Sequence, residues 1–200
     1  MTKYRWTIVA LLLFSTTVNY MDRNVIGYLK DYFCDPNGFR WTSTEYSILT
    51  SVFTAFYAGF TLIVGFVIDK VGTKLGLAAS LIVWSVAGLL SALAGTKLGG
   101  QLAARGLFGA GEAGNFPAAI KVTAEYFPKK DRAYATSIFN AGASIGALVA
   151  PLTIPLLAKA WGWEMAFIVI GGLGFIWMGF WVFMYSKPSE SKHVNKAELE

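Results

Sequence analysis

The sequence is poor in charged residues, cysteine and histidine, and each scarcity argues against a class of protein or of functional site. Charged residues make up 14% of the 200 residues and hydrophobic residues 55%, whereas about a quarter of a soluble domain is charged. The single cysteine, Cys34, excludes a disulfide within the chain. The single histidine, His193, lies in a polar tail, and no metal-ligand cluster, nucleophile–base pair or phosphate-binding loop is evident. We therefore expect a membrane protein that is not an enzyme and uses no cofactor.

The apolar residues come in six runs that are each long enough to cross a bilayer, which takes about 20 residues. These predicted spans are Trp6–Leu29, Tyr46–Ile68, Leu75–Ala94, Leu98–Tyr126, Ala133–Ala158 and Met165–Tyr185. The first run resembles a signal peptide, but no small-residue cleavage site follows it, so we interpret it as a retained span. The predicted fold class is an all-α membrane protein with a six-helix transmembrane bundle over residues 1–185. Residues 186–200 are predicted to be a polar cytoplasmic tail that begins an interdomain linker.

The distribution of basic residues predicts that both ends of the chain are cytoplasmic, because cytoplasmic loops are enriched in lysine and arginine. In that orientation ten basic residues lie inside, namely Lys3, Arg5, Lys70, Lys74, Lys129, Lys130, Arg132, Lys187, Lys192 and Lys196. Four lie outside, namely Lys30, Arg40, Lys97 and Lys159. They form no continuous basic face, so no nucleic-acid partner is expected. Aromatic residues near the predicted interfaces are interpreted as membrane anchors, namely Trp6, Trp41, Trp161, Trp163, Trp181 and Tyr185.

Four ionisable residues interrupt the apolar runs: Asp22 and Arg23 in the first span, and Arg105 and Glu112 in the fourth. A charge near the bilayer centre is costly, so such residues usually mark a substrate or proton pathway. The six spans divide into two sets of three, and each charged span leads its set. Corresponding polar helices in two inverted repeats are typical of the central site of a transporter. We therefore predict a 3+3 inverted repeat with a shared site between the first and fourth spans.

The loop between spans two and three has a distinctive spacing of glycine, acidic and basic residues, and it runs from Gly65 to Lys74 as GFVIDKVGTK. Gly65 permits close helix approach, and Gly72 with its flanking lysines makes a tight basic turn. The spacing resembles the signature of the major facilitator superfamily, in which this loop latches an inner gate. The resemblance implies a gate made of Gly65, Asp69, Lys70, Gly72, Lys74 and Arg132. Arg132 is the expected ionic partner of Asp69. The alternative is a turn that only fixes topology.

Span four contains the most specific pattern in the chain. Arg105, Gly109 and Glu112 recur at i, i+4 and i+7, so they share one helix face. Pro117 is expected to disturb the helix three or four residues before it. Four glycines allow neighbouring helices to pack closely, namely Gly106, Gly109, Gly111 and Gly114.

Together with Asn19-Tyr20-Met21-Asp22-Arg23 in the first span, this pattern resembles the anion:cation symporter family of the same superfamily, and within it the bacterial hexuronate transporters. The resemblance covers nearly all 200 residues but only half of such a protein, which has twelve spans in two six-helix bundles. It implies that Arg23 holds the carboxylate of the substrate. It also implies that the hydroxyls of Tyr20 and Tyr57 line the cavity.

The proton site is assigned on the same resemblance. Glu112 is implied to be the protonatable carrier, with Asp22 as a second acid and Arg105 as the charge partner of Glu112. The alternative is structural: Asp22–Arg23 and Arg105–Glu112 are internal ion pairs that lock the two helices. Asp22 and Arg23 are adjacent and therefore about 100° apart on the helix. One is expected to face the cavity and the other a neighbouring helix.

Two further polar features receive weaker assignments. Asn140, on a small-residue face of span five, either meets sugar hydroxyls or only hydrogen-bonds a helix. Lys121 and Glu125 are four residues apart near the inner end of span four. We interpret them as a pair with each other rather than as a site.

The predicted function is secondary active transport: proton-coupled symport of an organic anion, a sugar acid such as a hexuronate or aldonate, by alternating access in the plasma membrane, the bacterial inner membrane. The partners would be the anion, protons driven by their gradient, the bilayer, and a missing C-terminal six-helix half or a second copy. One alternative is an organic-anion exchanger or facilitator without proton coupling. Another is a non-transporting membrane sensor or a half-transporter subunit.

Overall fold

The computed structural model describes residues 4–186, and these residues are helical with no strand among them. Eight helices follow one another: α1 Tyr4–Tyr28, α2 Lys30–Cys34, α3 Ser43–Val71, α4 Thr73–Leu93, α5 Leu98–Glu112, α6 Asn115–Tyr126, α7 Lys129–Trp161 and α8 Trp163–Met184. The short α2 extends the first span, and α5 and α6 together make the fourth. The predicted all-α bundle of six spans is confirmed, while residues 187–200 of the predicted tail lie outside the described residues.

The two leading spans differ from the other four in composition. Helices α3, α4, α7 and α8 are long and apolar enough to cross a membrane by length and composition. The spans outside this set are α1, which contains Asp22 and Arg23, and the divided span α5–α6, which contains Arg105 and Glu112. The chain is therefore a multi-pass membrane protein in which the first span of each set of three is the polar one.

Local sequence signals set where the long helices begin. α3 starts before the predicted Tyr46 because Thr42 and Glu45 form a capping box. The Thr42 hydroxyl accepts the Glu45 N–H at 3.2 Å, and the Glu45 carboxylate accepts the Thr42 N–H at 2.7 Å. α7 starts at Lys129, directly after Pro128. Proline suits a helix start because the first N–H groups of a helix have no partner within it.

The fourth span is broken at Ala113–Gly114, directly after Glu112. Pro117 has no N–H to offer the carbonyl four residues earlier, which is that of Ala113. The predicted disturbance three or four residues before Pro117 is confirmed. The break leaves Glu112 as the last residue of α5 and Asn115 as the first residue of α6.

The packing of the spans follows a twofold pattern. α1 packs against α7, α3 against α5, and α4 against α8. If the two sets of three spans are related by a twofold axis, α1 corresponds to α5, α3 to α7 and α4 to α8. The α1–α7 contact then corresponds to the α5–α3 contact, and the α4–α8 contact to itself. The turns match as well: Gly72, between α3 and α4, has φ 88° and ψ 157°, and Gly162, between α7 and α8, has φ 96° and ψ 158°. The six spans thus form the predicted 3+3 repeat.

Glycines bring the paired helices into backbone contact. A Cβ atom on Gly142 of α7 would lie 2.4 Å from the carbonyl oxygen of Leu13 in α1. One on Gly109 of α5 would lie 2.6 Å from the carbonyl oxygen of Phe53 in α3. Neither helix pair could approach this closely with a larger residue. The predicted packing role of the glycines in span four is confirmed.

Three aromatic residues predicted as interface anchors, namely Trp41, Trp181 and Tyr185, lie in the core instead. Trp181 and Tyr185 are fully buried, and their ring centroids are 4.3 Å apart. The Trp181 indole N–H donates to the carbonyl of Lys74 at 3.2 Å, because a buried indole nitrogen needs an acceptor. The interpretation as anchors is wrong for these three residues. Trp161, with 67% of its surface exposed, is compatible with it.

Candidate functional site

An ion pair joins the leading spans of the two repeats. The Nε atom of Arg23 lies 3.0 Å from Oε1 and 3.2 Å from Oε2 of Glu112. The Glu112 side chain is fully buried, whereas 28% of the Arg23 side chain is exposed. A buried charge that loses its partner is strongly destabilising. The pair therefore joins a fully buried acid to an arginine whose side chain is partly exposed.

This pairing differs from those considered from the sequence. Within residues 4–186, no salt bridge joins Asp22 to Arg23 or Arg105 to Glu112. The two helix-locking pairs are therefore wrong, because the observed pair crosses from one repeat to the other. Arg105 interacts with Glu112 electrostatically, but the contact partner of Glu112 is Arg23. The reason is that α1 and α5 present these two side chains to each other across the repeat axis.

Three aromatic rings surround the guanidinium of Arg23. Its central carbon lies 4.8 Å from the ring centre of Tyr57, 5.0 Å from that of Tyr20 and 5.5 Å from that of Phe53. Aromatic faces attract a cation without neutralising its charge. Tyr20 and Tyr57 thus lie beside Arg23, while the lining of a cavity by their hydroxyls stays a prediction. Phe53 is an additional neighbour that sequence reading missed.

Asp22 lies on the other side of α1 and faces a neighbouring helix. It is 1% exposed, and its Oδ1 atom lies 3.6 Å from the position of a Cβ built on Gly88 of α4. Neither carboxylate oxygen has a hydrogen-bond partner in the described part of the chain. Arg105, also buried, interacts electrostatically with Asp22 and packs its guanidinium 5.0 Å from the ring centre of Phe108. Asp22 and Arg23 therefore diverge as the helix geometry predicts.

Asn140 is not part of this cluster. It is exposed on α7 and lies about 160° around the helix from Gly142, which packs on α1. Its contact with a substrate stays a prediction. The structure also contains a polar contact between α1 and α6 that sequence reading missed. The Ser15 hydroxyl donates to Oδ1 of Asn115 at 3.0 Å, and both residues are buried. The available signal was Asn115 itself, an amide beside a helix break in an apolar span.

Asp69, at the end of α3 in the Gly65–Lys74 segment, forms an ion pair with a different partner from the predicted one. Oδ1 of Asp69 lies 2.6 Å from Nζ of Lys121 in α6. Arg132 instead donates to the carbonyls of Phe127 at 2.9 Å and Ala124 at 2.8 Å. These carbonyls lie at the end of α6, where helix geometry leaves them unpaired. The prediction that Arg132 pairs with Asp69 is therefore wrong.

The two glycines of this loop differ in what the structure requires of them. Gly72 alone separates α3 from α4, and its φ of 88° is one that other residues rarely adopt. Its predicted role in a tight turn is confirmed. Around Gly65 no described atom lies within 4 Å of a built Cβ. The predicted close helix approach at Gly65 is absent from the described part of the bundle.

Glu125 is the centre of a hydrogen-bonded cluster that the sequence did not reveal. Its carboxylate accepts the Thr73 hydroxyl at 2.5 Å and the Tyr185 hydroxyl at 2.6 Å. It thereby connects the ends of α6, α4 and α8. The predicted Lys121–Glu125 pair is wrong, because Lys121 contacts Asp69 and Glu125 contacts these two hydroxyls. Nearby, the Tyr126 hydroxyl donates to the carbonyl of Ser186.

Replacing Glu125 with alanine is expected to destabilise the protein more than replacing Asp69 with alanine. Thr73 and Tyr185 are buried, and each would lose its acceptor, which costs about 1–3 kcal/mol per group. The Asp69 side chain is 71% exposed, and exposed pairs contribute about 0–1 kcal/mol. Thermal unfolding of the full-length protein in detergent measures both variants. Equal shifts in melting temperature would contradict this assignment of Glu125.

Two inverted three-helix repeats, joined by an ion pair between their leading helices, make up one six-span membrane bundle. The chain belongs to the Major Facilitator Superfamily, whose family model matches residues 12–200. It is 36% identical over 196 residues to a hexuronate transporter of Escherichia coli K12, covering 98% of this chain and 45% of that protein. It is 33% identical over 196 residues to a galacturonate transporter of Dickeya chrysanthemi, covering 98% of this chain and 56% of that protein.

Solved structures agree on the fold. A bacterial homologue of the human lysosomal transporter Spinster, inward-facing and unoccupied, superposes with a TM-score of 0.85 at 22% sequence identity. The match covers 94% of this chain and 44% of that chain. The present chain thus spans about half the length of its relatives, as the predicted N-terminal half of the superfamily fold. The relatives are transporters, so the prediction that the chain is not an enzyme is confirmed.

Proposed function

We propose that the chain is the N-terminal half of a proton-coupled symporter for a sugar acid, a hexuronate or an aldonate. The observation that carries this proposal is the Arg23–Glu112 pair, because it joins a partly exposed arginine, which can bind a carboxylate, to a fully buried acid. The names of the relatives support the substrate class: they include transporters of hexuronate, galacturonate and D-galactonate.

In the proposed mechanism, the carboxylate of the substrate and the carboxylate of Glu112 compete for the guanidinium of Arg23. Arginine suits this role because its planar fork matches a carboxylate and it stays charged when desolvated. When Arg23 turns to the substrate, Glu112 would remain buried without its contact partner. An uncompensated buried charge is costly, so Glu112 would take up a proton. Binding of the anion and binding of the proton are thereby coupled.

The remaining assignments follow from the positions of the side chains. Tyr20 and Tyr57 are proposed to offer hydroxyls to the sugar while their rings hold Arg23. Asp22 and Arg105 are proposed as a second acid and a buried cation that tune Glu112. Gating is proposed for the α3–α4 loop, with Lys121 in the place predicted for Arg132.

The rest of the transporter is also part of the proposal. A second six-helix bundle would supply the other wall of the cavity, and Asn140, which is exposed on α7, is proposed to contact the substrate there. We propose that the protein resides in a bacterial inner membrane with both ends cytoplasmic, as the basic residues indicate. The proton gradient would be its energy source, and no cofactor would be needed.

A substrate panel tests the anion site directly. Full-length protein is titrated with glucuronate, galacturonate and galactonate, and its melting temperature is recorded. A ligand at 100 times its Kd adds about 2.7 kcal/mol to stability, so the right anion raises the melting temperature clearly. Arg23→Ala should remove this response, while Arg40→Ala, which changes an exposed arginine outside the site, should keep it. An Arg23→Ala protein that responds like wild type would refute the assignment.

A further inference from the structure

A V-shaped apolar cleft opens on the face of the bundle where α3 and α4 diverge. The two helices touch near the Gly72 turn, where a Cβ on Gly76 would lie 2.8 Å from Cγ1 of Ile68. Farther from the turn, both helices pack on α5 and leave a space of about 580 Å³ between them. We call this space the α3–α4 cleft; its walls include Ile63, Val67, Val71, Leu75, Ala79 and Val83.

The floor of the cleft is the back of the helix that holds the candidate site. Leu107, Ala110 and Gly111 of α5 line it, whereas Arg105 and Glu112 are buried on the inner side of the same helix. The cleft is thus separate from the anion site and open to the surroundings of the bundle. Both wall helices are long and apolar enough to cross a membrane, so the cleft offers an apolar surface to an acyl chain.

Two lysines adjoin the closed end of the cleft in sequence. Val71 and Leu75 of its walls are next to Lys70 and Lys74 in sequence. The acid of this loop, Asp69, is already paired with Lys121 at 2.6 Å. In the described residues, neither Lys70 nor Lys74 has a carboxylate within salt-bridge distance. Two lysines at the membrane surface attract anionic headgroups.

We propose that the α3–α4 cleft is a binding site for an anionic phospholipid, with one acyl chain between α3 and α4 and the phosphate on Lys70 and Lys74. Apolar walls complement the chain, and the two unpaired lysines complement the phosphate at the closed end. Lysine is suited to phosphate as a compact point charge with three donors. The proposal does not depend on which anion is transported.

The inverted repeat supplies an internal comparison. The equivalent space between α7, α8 and α1 measures about 340 Å³ and is lined by residues such as Met21, Leu156 and Ile170. The turn beyond it, at Gly162, is flanked by Lys159 and Glu164, one charge of each sign. This second groove therefore lacks the net positive end of the α3–α4 cleft. It should accept acyl chains without preferring an anionic headgroup.

Photo-crosslinking tests the proposal. Full-length protein is placed in phosphatidylcholine nanodiscs that contain a trace of phosphatidylglycerol or phosphatidylcholine with a diazirine in one acyl chain, and labelled residues are mapped by mass spectrometry. Labelling of the α3–α4 cleft should be roughly tenfold stronger with the phosphatidylglycerol probe, as expected for two lysines near the headgroups. In the second groove the two probes should label equally.

Two kinds of variant separate the headgroup from the chain. In the double variant Lys70→Gln/Lys74→Gln, the phosphatidylglycerol probe should label the cleft no more strongly than the phosphatidylcholine probe. The control variant Lys97→Gln should keep the stronger labelling by phosphatidylglycerol. Ala79→Trp fills the cleft and should remove its labelling by both probes. Ala103→Trp, on the same face of α5 but outside the cleft, should leave the labelling of the cleft unchanged. Equal labelling of the wild-type cleft by both probes, or labelling that survives Ala79→Trp, would overturn the proposal. A cleft that no probe labels would overturn it as well.

Discussion

Replacing Glu112 with glutamine is expected to abolish uptake driven by a proton gradient while substrate counterflow survives. Glutamine has nearly the size of glutamate and can still accept a hydrogen bond from Arg23, but it neither gains nor loses a proton. The substrate would therefore bind and exchange across the membrane without a proton being carried. Proteoliposomes containing the full-length protein and labelled galacturonate or glucuronate measure both fluxes, with and without an imposed pH gradient.

The outcome separates the functions that the sequence left open. Loss of gradient-driven uptake with intact counterflow supports symport. Gradient-driven uptake that persists in Glu112→Gln would show that Glu112 is not the proton carrier. Counterflow in the wild type with no response to a pH gradient would instead indicate an exchanger, and ligand binding without flux a sensor. Glu164→Gln, an exposed acid far from the ion pair in sequence, is the matched control and should transport like wild type.

Replacing Gly142 with alanine is expected to cause a clear loss of stability, although it adds only one methyl group. The new Cβ would lie 2.4 Å from the carbonyl oxygen of Leu13 and 3.1 Å from the backbone nitrogen of Thr17. Both are backbone atoms of α1, so the helices must move apart rather than a side chain rotate. That carbonyl also accepts the Thr17 hydroxyl at 2.9 Å. Overpacking of this kind costs about 1–3 kcal/mol, which thermal unfolding in detergent detects.

Gly179→Ala in α8 is the matched control for this substitution. It adds the same methyl group at a helical glycine around which no described atom lies within 4 Å. Because alanine favours the helix more than glycine does, its melting temperature should be unchanged or slightly raised. If both variants melt alike, the close α1–α7 contact does not hold the bundle together.

Much of the fold could be predicted because the relevant signals lie within single helices. Four of the spans are long apolar runs of 20 residues or more, and a run of that length is too long for a typical strand. The break before Pro117 follows from the missing N–H of one residue. Even the repeat could be inferred, because Asp22–Arg23 and Arg105–Glu112 mark only the leading spans. These features need no knowledge of how the helices are placed relative to one another.

The contacts between helices could not be predicted in the same way. Spacing along the chain suggested pairs within one helix, such as Lys121 with Glu125, but both residues contact other helices instead. The actual partner depends on which faces meet and how closely. In this bundle those distances are set by glycines, so the pairing of Arg23 with Glu112 became visible only in three dimensions.

The one-residue turns have a mechanical consequence. With Gly72 alone between α3 and α4, and Gly162 alone between α7 and α8, neither hairpin has slack with which its helices could tilt independently. We therefore expect the two helices of each hairpin to move together. The described bundle is interrupted at Ala113–Gly114 instead, immediately beyond Glu112. Glu112 is the last residue before this break, so we expect a rotation of α6 against α5 to change the contact between Glu112 and Arg23.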